Sequence, residues 1–329
     1  NGIIWSPVLV ALCLGAGLFF SIRSRFVQLR MFPEMWRLLF QKKEDEIGLS
    51  SFQALSLTLA GRVGTGNIAG VATAICFGGP GALFWMWMVA FLGASSAFVE
   101  STLGQIYKEK IEGQYRGGPA FYIERGLRLK PYAWAFAIVT ILASCFFCPG
   151  VQSNSIALAW HEAFGLEAEI TAAIVASITC FVIVGGLRRI ATFTSWIVPF
   201  MAQAYIVVAL IIVGVNWQQI PDVFQMIVSS AFGMDSITGG LLGSAIAWGV
   251  KRGIYSNEAG QGTGPHASSA AAVSHPAKQG LVQAFSVYID TLFVCSATGF
   301  MILMTGCYNM VDPNGQALYE GLPGVEAGN

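Results

Sequence analysis

The chain reads as an all-α integral membrane protein, and three observations predict it. Of its 329 residues, 55% are hydrophobic and only 11% charged, against roughly 25% charged in an ordinary soluble domain. Mean hydropathy is +0.62. The apolar residues gather in runs of about 20, the length at which a helix crosses a bilayer. Two of those runs are also interrupted by clusters of glycine, which a plain spanning helix does not need.

Residues 3–20 make the first span. They resemble the apolar core of a signal sequence, but no basic region precedes them and Arg23 and Arg25 follow, so a spanning helix is expected. Residues 23–48 mix Phe26, Leu29, Met31, Phe32, Trp36, Leu38 and Leu39 with Arg23, Arg25, Arg30, Arg37, Lys42 and Lys43. That pattern predicts an amphipathic segment at the membrane surface. An interrupted helix follows at 50–77, then a span at 82–106 and a polar loop at 107–131. Further spans are expected at 132–158, 170–187 and 194–215. After an extramembrane stretch at 216–235, residues 237–272 form a second interrupted segment. A last span covers 281–306, and a polar tail occupies 307–329.

Charge fixes one topology. If the loops at 23–48, 107–131, 188–189 and 273–280 face the cytoplasm, they hold every Lys and Arg except Arg62, Lys251 and Arg252. The opposite loops carry Glu162, Glu167, Glu169, Asp222, Asp235, Asp312, Glu320 and Glu326 and no basic residue. This is the positive-inside bias, and it places the N-terminus outside. Net charge is zero and points to no class of partner.

The first interruption sets Gly61, Arg62, Gly64, Gly66 and Asn67 within seven residues, with Gly70 beyond. Glycine costs roughly 1 kcal/mol against alanine inside a helix. Unwound backbone is tolerated at membrane depth only where it lines a cavity or is buried in protein. Gly66 and Gly70 equally suit a helix packed closely on a neighbour. The second interruption holds Gly249-Val250-Lys251-Arg252-Gly253 and then Ser256-Asn257-Glu258-Ala259-Gly260-Gln261-Gly262-Thr263-Gly264. Two glycine-interrupted segments running in opposite directions are the mark of an inverted internal repeat with a midplane binding site.

Enzyme chemistry finds no support. Gly64-x-Gly66-x-x-x-Gly70 is one residue too long for the dinucleotide fingerprint and follows no strand, and His161, His266 and His275 lack metal-ligand spacing. No GxSxG elbow is present. Cys145-Phe146-Phe147-Cys148 lies in an apolar run, where packing outweighs redox or metal chemistry. No resident cofactor and no nucleic-acid partner are expected.

Polar residues inside spans need partners. Gln152, Ser153, Asn154 and Ser155 break an apolar run just after Pro149-Gly150, and interhelical hydrogen bonding is one use for them. Arg62, Glu100, Glu258 and Asp290 also fall in or beside spans. Structural pairing is expected for these four: Glu258 with Lys251 or Arg252, Asp290 with Arg62 or a cation, and Glu100 as a buried acid.

The run Gly78-Gly79-Pro80-Gly81-Ala82-Leu83-Phe84-Trp85-Met86-Trp87-Met88, continuing to Gly93, resembles the signature of the alanine/glycine:cation (sodium:alanine) symporter family. Val63-Gly64-Thr65-Gly66-Asn67 resembles the unwound first core helix of neurotransmitter:sodium symporters. The runs 152–156 and 253–262 are family-like too, so the resemblance covers about 23–304. It implies a five-plus-five inverted-repeat fold with a leading extra helix: residues 1–22 the leading helix, 23–48 a cytoplasmic segment, 49–215 the first repeat, 216–306 a partial second repeat and 307–329 an extracytoplasmic tail. Counted against that fold, the chain is expected to stop after the seventh core helix.

The resemblance further implies a secondary transporter of the bacterial inner membrane, importing alanine or glycine with Na⁺ by alternating access. H⁺ stays open as the coupling ion. Ala60 and Val63 would lend backbone carbonyls to Na⁺. The amides of Gly64, Thr65 and Gly66 would face the substrate carboxylate, as a helix N-terminus favours an anion. Asn67 would cap that half-helix or meet substrate. Gln152 and Asn154 would contact the amino acid, with Trp248 a wall and Gly249 a close backbone approach at the second break. Two other readings are a transport-incompetent fragment with an assembly or regulatory role, and a channel, which the lack of charge rings or a filter motif disfavours.

Overall fold

The computed structural model describes residues 5–41, 45, 47–234, 241–312 and 314–323. The expectations at residues 3–4, at Lys42 and Lys43, at Asp235, at 237–240 and at Glu326 lie outside the described residues. The helices in chain order are α1 (Pro7–Arg23), α2 (Val27–Arg30), α3 (Phe32–Leu39), α4 (Ser51–Arg62), α5 (Thr65–Gly78), α6 (Gly81–Ile106), α7 (Pro119–Gly126), α8 (Lys130–Leu142), α9 (Cys148–Phe164), α10 (Ala168–Ile183), α11 (Gly186–Val215), α12 (Ile220–Ala231), α13 (Leu242–Asn257), α14 (Gly264–Ser269), α15 (Pro276–Val287) and α16 (Ser296–Thr305).

Among the described residues, four continuous helices are long and apolar enough to cross a membrane: Gly81–Ile106, Lys130–Phe164, Gly186–Val215 and Pro276–Thr305. Three of them exceed the predicted spans, Lys130–Phe164 mainly at its end and Gly186–Val215 and Pro276–Thr305 at their starts. π-Helical turns, at Ala143–Phe147 and Tyr288–Cys295, join α8 to α9 and α15 to α16 without a break. Large apolar side chains such as Trp134, Phe146, Val184, Trp196 and Phe200 stand exposed. A belt of that kind suits hydrocarbon and not water.

The long helix α6 is the axis of the bundle, with α13, α14, α15, α1 and α12 packed around it. Small residues make the approach close. A Cβ on Gly280 of α15 would fall 2.7 Å from Phe98 O of α6, so only glycine permits that crossing. Ala90, Ala94 and Ala97 of α6 lie fully buried in the same layer, beside Val282, Phe285 and Tyr288. The amphipathic segment docks there as well: Met35, Leu38 and Leu39 of α3 are buried, and Trp36 meets Phe285 edge-on at 5.9 Å.

The loop at 107–131 is not plain coil. It folds into an antiparallel hairpin, β1 (Glu109–Ile111) with β2 (Gln114–Arg116), followed by α7. The tail forms a second hairpin, β3 (Asn309–Val311) with β4 (Ala317–Glu320).

At the end of the bundle where α4 begins, the chain is fastened. Leu49 pairs with residues 270–272 in a parallel bridge, donating to Ala270 O and accepting from Ala272 N, both at 2.9 Å. Lys108 donates to Ala271 O at 2.7 Å and to Gln105 Oε1 at 2.8 Å, and its amine sits over the Tyr115 ring. Burial lowers its pKa to about 8, with Asp45 opposing that shift. Tyr115 in turn donates to Asp45 at 2.8 Å, which holds its own ionisation above the usual phenol range.

The first break falls where the glycines put it, between α4 and α5. The second does not fall at Gly249–Gly253. α13 runs unbroken from Leu242 to Asn257, and the chain leaves the helix only at Glu258–Thr263. Gly249 and Gly253 serve packing instead: a Cβ on Gly249 would lie 2.5 Å from Ala82 O and 2.6 Å from Trp85 Cβ of α6. The positions that need glycine for backbone reasons are Gly260 and Gly262, at φ +84° and +85°.

Gly249→Ala therefore forces two helices apart and should destabilise the protein by about 1–3 kcal/mol, the usual cost of overpacking. Gly243→Ala, on the same helix with nothing within 4 Å, should be neutral or stabilising by up to about 1 kcal/mol. Thermal unfolding of the two purified variants in detergent checks the pair.

Candidate functional site

The two breaks meet beside the π-helical turn at Tyr288–Cys295. α4 ends at Arg62, and Val63 N–H closes the helix on Leu59 O at 2.8 Å. The next amide, Gly64 N–H, would continue the ladder onto Ala60 O. It donates instead to Asn67 Oδ1 at 2.8 Å. The carbonyl of Ala60 is thereby released from the helix ladder, as a cation ligand requires. Asn67 caps α5 as expected, but the cap is only half its work.

The Asn67 amide group is fully buried, and its Nδ2 donates to Asp290 Oδ1 at 2.7 Å and Ser256 Oγ at 3.0 Å. Ser256, the penultimate residue of α13, donates to Asp290 Oδ2 at 2.7 Å, and Thr291 donates to the same oxygen at 2.9 Å. Cys295 Sγ lies 3.2 Å from both Asn67 Nδ2 and Ser256 Oγ. Thr298 on α16 closes the cluster by donating to Asn67 O at 2.7 Å. One carboxylate therefore holds the first break, the end of α13 and the π-turn together.

Asp290 is fully buried, and among the described residues no Lys, Arg or His forms an ion pair with it. The expected pairing with Arg62 is not made. Arg62 donates to Gln283 O at 3.4 Å and to Ser286 Oγ on α15. The expected pairing of Glu258 with Lys251 or Arg252 is not made either. Glu258 adopts the left-handed conformation that ends α13 and accepts from Thr263 at 2.7 Å. The cations of Lys251 and Arg252 instead lie over the Trp248 ring. Glu100 is the buried acid foreseen, accepting from Gly262 N at 3.1 Å and from Gly260.

Of the residues expected to meet substrate, Thr65 and Gln152 come together: Thr65 N–H donates to Gln152 Oε1 at 3.2 Å. Gly64 has room only for hydrogen there, since a Cβ would sit 3.0 Å from that same oxygen. Gly66 lets α5 approach α13, where a Cβ would lie 3.3 Å from the Tyr255 ring. Asn154 is not brought to this point. It is exposed, for two residues along a helix turn a side chain to the opposite face. Trp248 and Gly249 stand more than one helical turn from the second break, with Trp248 stacked on Phe77 at 4.9 Å. They form no wall beside Thr65.

Tyr255, Ser256 and Thr291 are the members to which sequence reasoning gave no role, while Asp290 was foreseen only as a partner of Arg62 or of a cation. Tyr255 lies against Gly66, its ring 3.3 Å from where a Cβ there would stand. The one sequence signal was an aspartate inside an apolar span.

The arrangement is one of two helix interruptions, a carbonyl released from the helix ladder at Ala60, and a buried carboxylate between them. The model of the sodium:alanine symporter family matches residues 1–321. The chain belongs to the sodium:alanine symporter family. It is 60% identical to the carrier protein YrbD of Bacillus subtilis over 100% of this chain and 68% of that protein. It is 48% identical to the sodium/proton-dependent alanine carrier protein of Bacillus sp. PS3, over 89% of this chain and 66% of the relative. The sodium/alanine symporter AgcS of Methanococcus maripaludis is 42% identical over 93% and 69%. The chain thus spans about two thirds of the length of these relatives. The family is one of integral membrane transporters and not of enzymes.

Asn67→Ala removes the partner of Gly64 N–H and one donor to Asp290. It should destabilise the protein by about 1–3 kcal/mol for each buried group left unpaired. Asn154→Ala, on an exposed face, should stay within about 0.5 kcal/mol of the parent. Chemical or thermal unfolding of both variants distinguishes the buried network from the exposed one.

Proposed function

We propose that the chain carries the ion- and substrate-binding part of a secondary transporter that imports alanine or glycine together with Na⁺. The observation that carries this reading is the Asp290 carboxylate, buried with three hydrogen-bond donors and no ion pair among the described residues. A buried carboxylate with no ion pair must take up either a proton or a cation, and the transport reading gives Asp290 a cation that arrives and leaves. Na⁺ suits the oxygen-rich surroundings, and the freed carbonyls at Ala60 and Val63 add further hard ligands beside the first break. The amino-acid carboxylate would lie against the first turn of α5, taking the Thr65 amide in place of Gln152 Oε1 while Gly64 N–H stays with Asn67, and Gln152 and Tyr255 would line the same side.

Alternating access would follow from rocking about the two breaks, within a five-plus-five repeat. The charge bias of the loops supports cytoplasmic 107–131 and an external N-terminus. Nothing favours an assembly or regulatory role.

The test is uptake by the full gene product in liposomes. An inward Na⁺ gradient should drive alanine accumulation, with glycine competing. Asp290→Asn should abolish the Na⁺ dependence. Gln152→Ala should raise the apparent KM for alanine by about 3- to 10-fold, as loss of one hydrogen bond does. Uptake that follows a proton gradient and ignores Na⁺ would replace the coupling ion, and competition by glutamine but not glycine would replace the substrate.

Orientation has its own check. An impermeant thiol reagent applied to intact cells should label a cysteine placed at Glu167 and spare one at Lys110. The reverse pattern would invert the topology.

A further inference from the structure

Arg62 and Glu100 are both buried, at 3% and 7% exposure, and each leaves hydrogen-bonding capacity unused within the protein. Arg62 Nη1 is bonded to Gln283 O and Ser286 Oγ, while Nε and Nη2 have no protein partner. Glu100 Oε2 accepts from Gly262 N, while Oε1 has none. Ser101, one residue along α6, is a third such residue through its Oγ. All three face one point. A Cβ on Gly264 would stand 3.1 Å from Arg62 Nη2, 3.4 Å from Ser101 Oγ and 3.5 Å from Glu100 Oε1. Arg62 and Glu100 form no direct ion pair.

We propose that Arg62 and Glu100 are the halves of a water-bridged ion pair seated against Gly264, and that this bridge holds the two helix breaks in register. The site takes water. Its donors are Arg62 Nη2 and Ser101 Oγ and its acceptor is Glu100 Oε1, the two-to-four polar partners that a buried water needs. An anion would meet the Glu100 carboxylate, and a metal ion would meet the guanidinium, so neither fits.

The placement gives the bridge a purpose. Arg62 is the last residue of α4, at the first break. Glu100 holds the amides of Gly260 and Gly262, which form the second break. Glu258, the other acid at that break, is occupied by Thr263. The bridge thus spans the two interruptions through α6, on a separate set of atoms from the Asp290 cluster. Both residues are positioning residues, acting on the binding groups through the backbone of each break. This goes beyond the transport reading and does not depend on which solute is carried.

Gly264 provides the decisive test, because it is not at positive φ and a side chain there is not strained by its backbone. Gly264→Ala would put a methyl group where the water bonds. Gly264→Ser would put a hydroxyl within reach of the same three atoms. If only space matters, serine, being larger, is the worse substitution. If the water's hydrogen bonds matter, serine is the better one. The bridge predicts that Gly264→Ser melts several degrees above Gly264→Ala in the purified, ligand-free full gene product.

A second measurement is a double-mutant cycle of Arg62→Gln and Glu100→Gln, read on the same melting temperature and on the apparent KM for alanine. Coupled groups depart from additivity by about tenfold in an equilibrium constant, so the double variant should be far better than the product of the single losses. Serine no better than alanine at 264, or an additive cycle, would overturn the bridge. A non-additive melting cycle in a protein that takes up no alanine would keep the bridge and reject the transport reading. Should either glutamine variant fail to fold, the Gly264 pair alone decides.

Discussion

Backbone that leaves the helix inside a membrane must find partners for its amides and carbonyls, and the fold is arranged around that need. At the first break a single side chain, Asn67, meets it from both ends. Its oxygen takes the Gly64 amide and its nitrogen reaches Ser256 and Asp290. The second break is met by acids: Glu100 takes the amides at Gly260 and Gly262, and Glu258 takes the Thr263 hydroxyl. α6 carries Glu100 and lies against α13 and α15, so the axis of the bundle is also the support of a break. The close packing of small residues along α6 follows from this, since a wider helix separation would take Glu100 out of reach.

Much of this was legible in the residues. Long apolar runs give spans, but helices run on past them into polar residues, as α11 does by starting at Gly186 ahead of Arg188 and Arg189. The first break was legible because Gly64 and Gly66 sit next to a capping asparagine, a local pattern. The second was misread, because glycine has two uses. At Gly249 and Gly253 it makes room for α6; at Gly260 and Gly262 it allows a backbone that other residues resist. Sequence spacing does not tell these uses apart, since the first depends on a neighbour distant in the chain. The same holds for the acids. Glu258, Asp290 and Arg62 each invited a nearby opposite charge, yet Asp290 is held by neutral donors from three elements and by no cationic side chain among the described residues.

The helix carrying Gln152 shows the limit from the other side. Four polar residues in a row looked like one site, but a helix spreads four successive residues around its circumference. Only Gln152 reaches Thr65, and Asn154 faces away. The π-turn at Tyr288–Cys295 was invisible for a similar reason: it has no residue signature, and it shifts which side chains of that helix face inward. Such turns recur where function needs a local departure from the regular helix.

The parallel bridge at Leu49 has an energetic meaning of its own. It joins the start of α4 to the stretch after α14, so segments flanking the two helix breaks are tied by two backbone hydrogen bonds. Each is worth about 0.5–1.5 kcal/mol net of what water would offer. Undoing both would therefore cost about 1–3 kcal/mol, on top of unpacking the buried Leu49 and Ala271 and releasing Lys108 and Gln105 from Ala271 O. Because the joint itself uses only main-chain groups, it fixes where the two segments meet without requiring a particular side chain at Leu49.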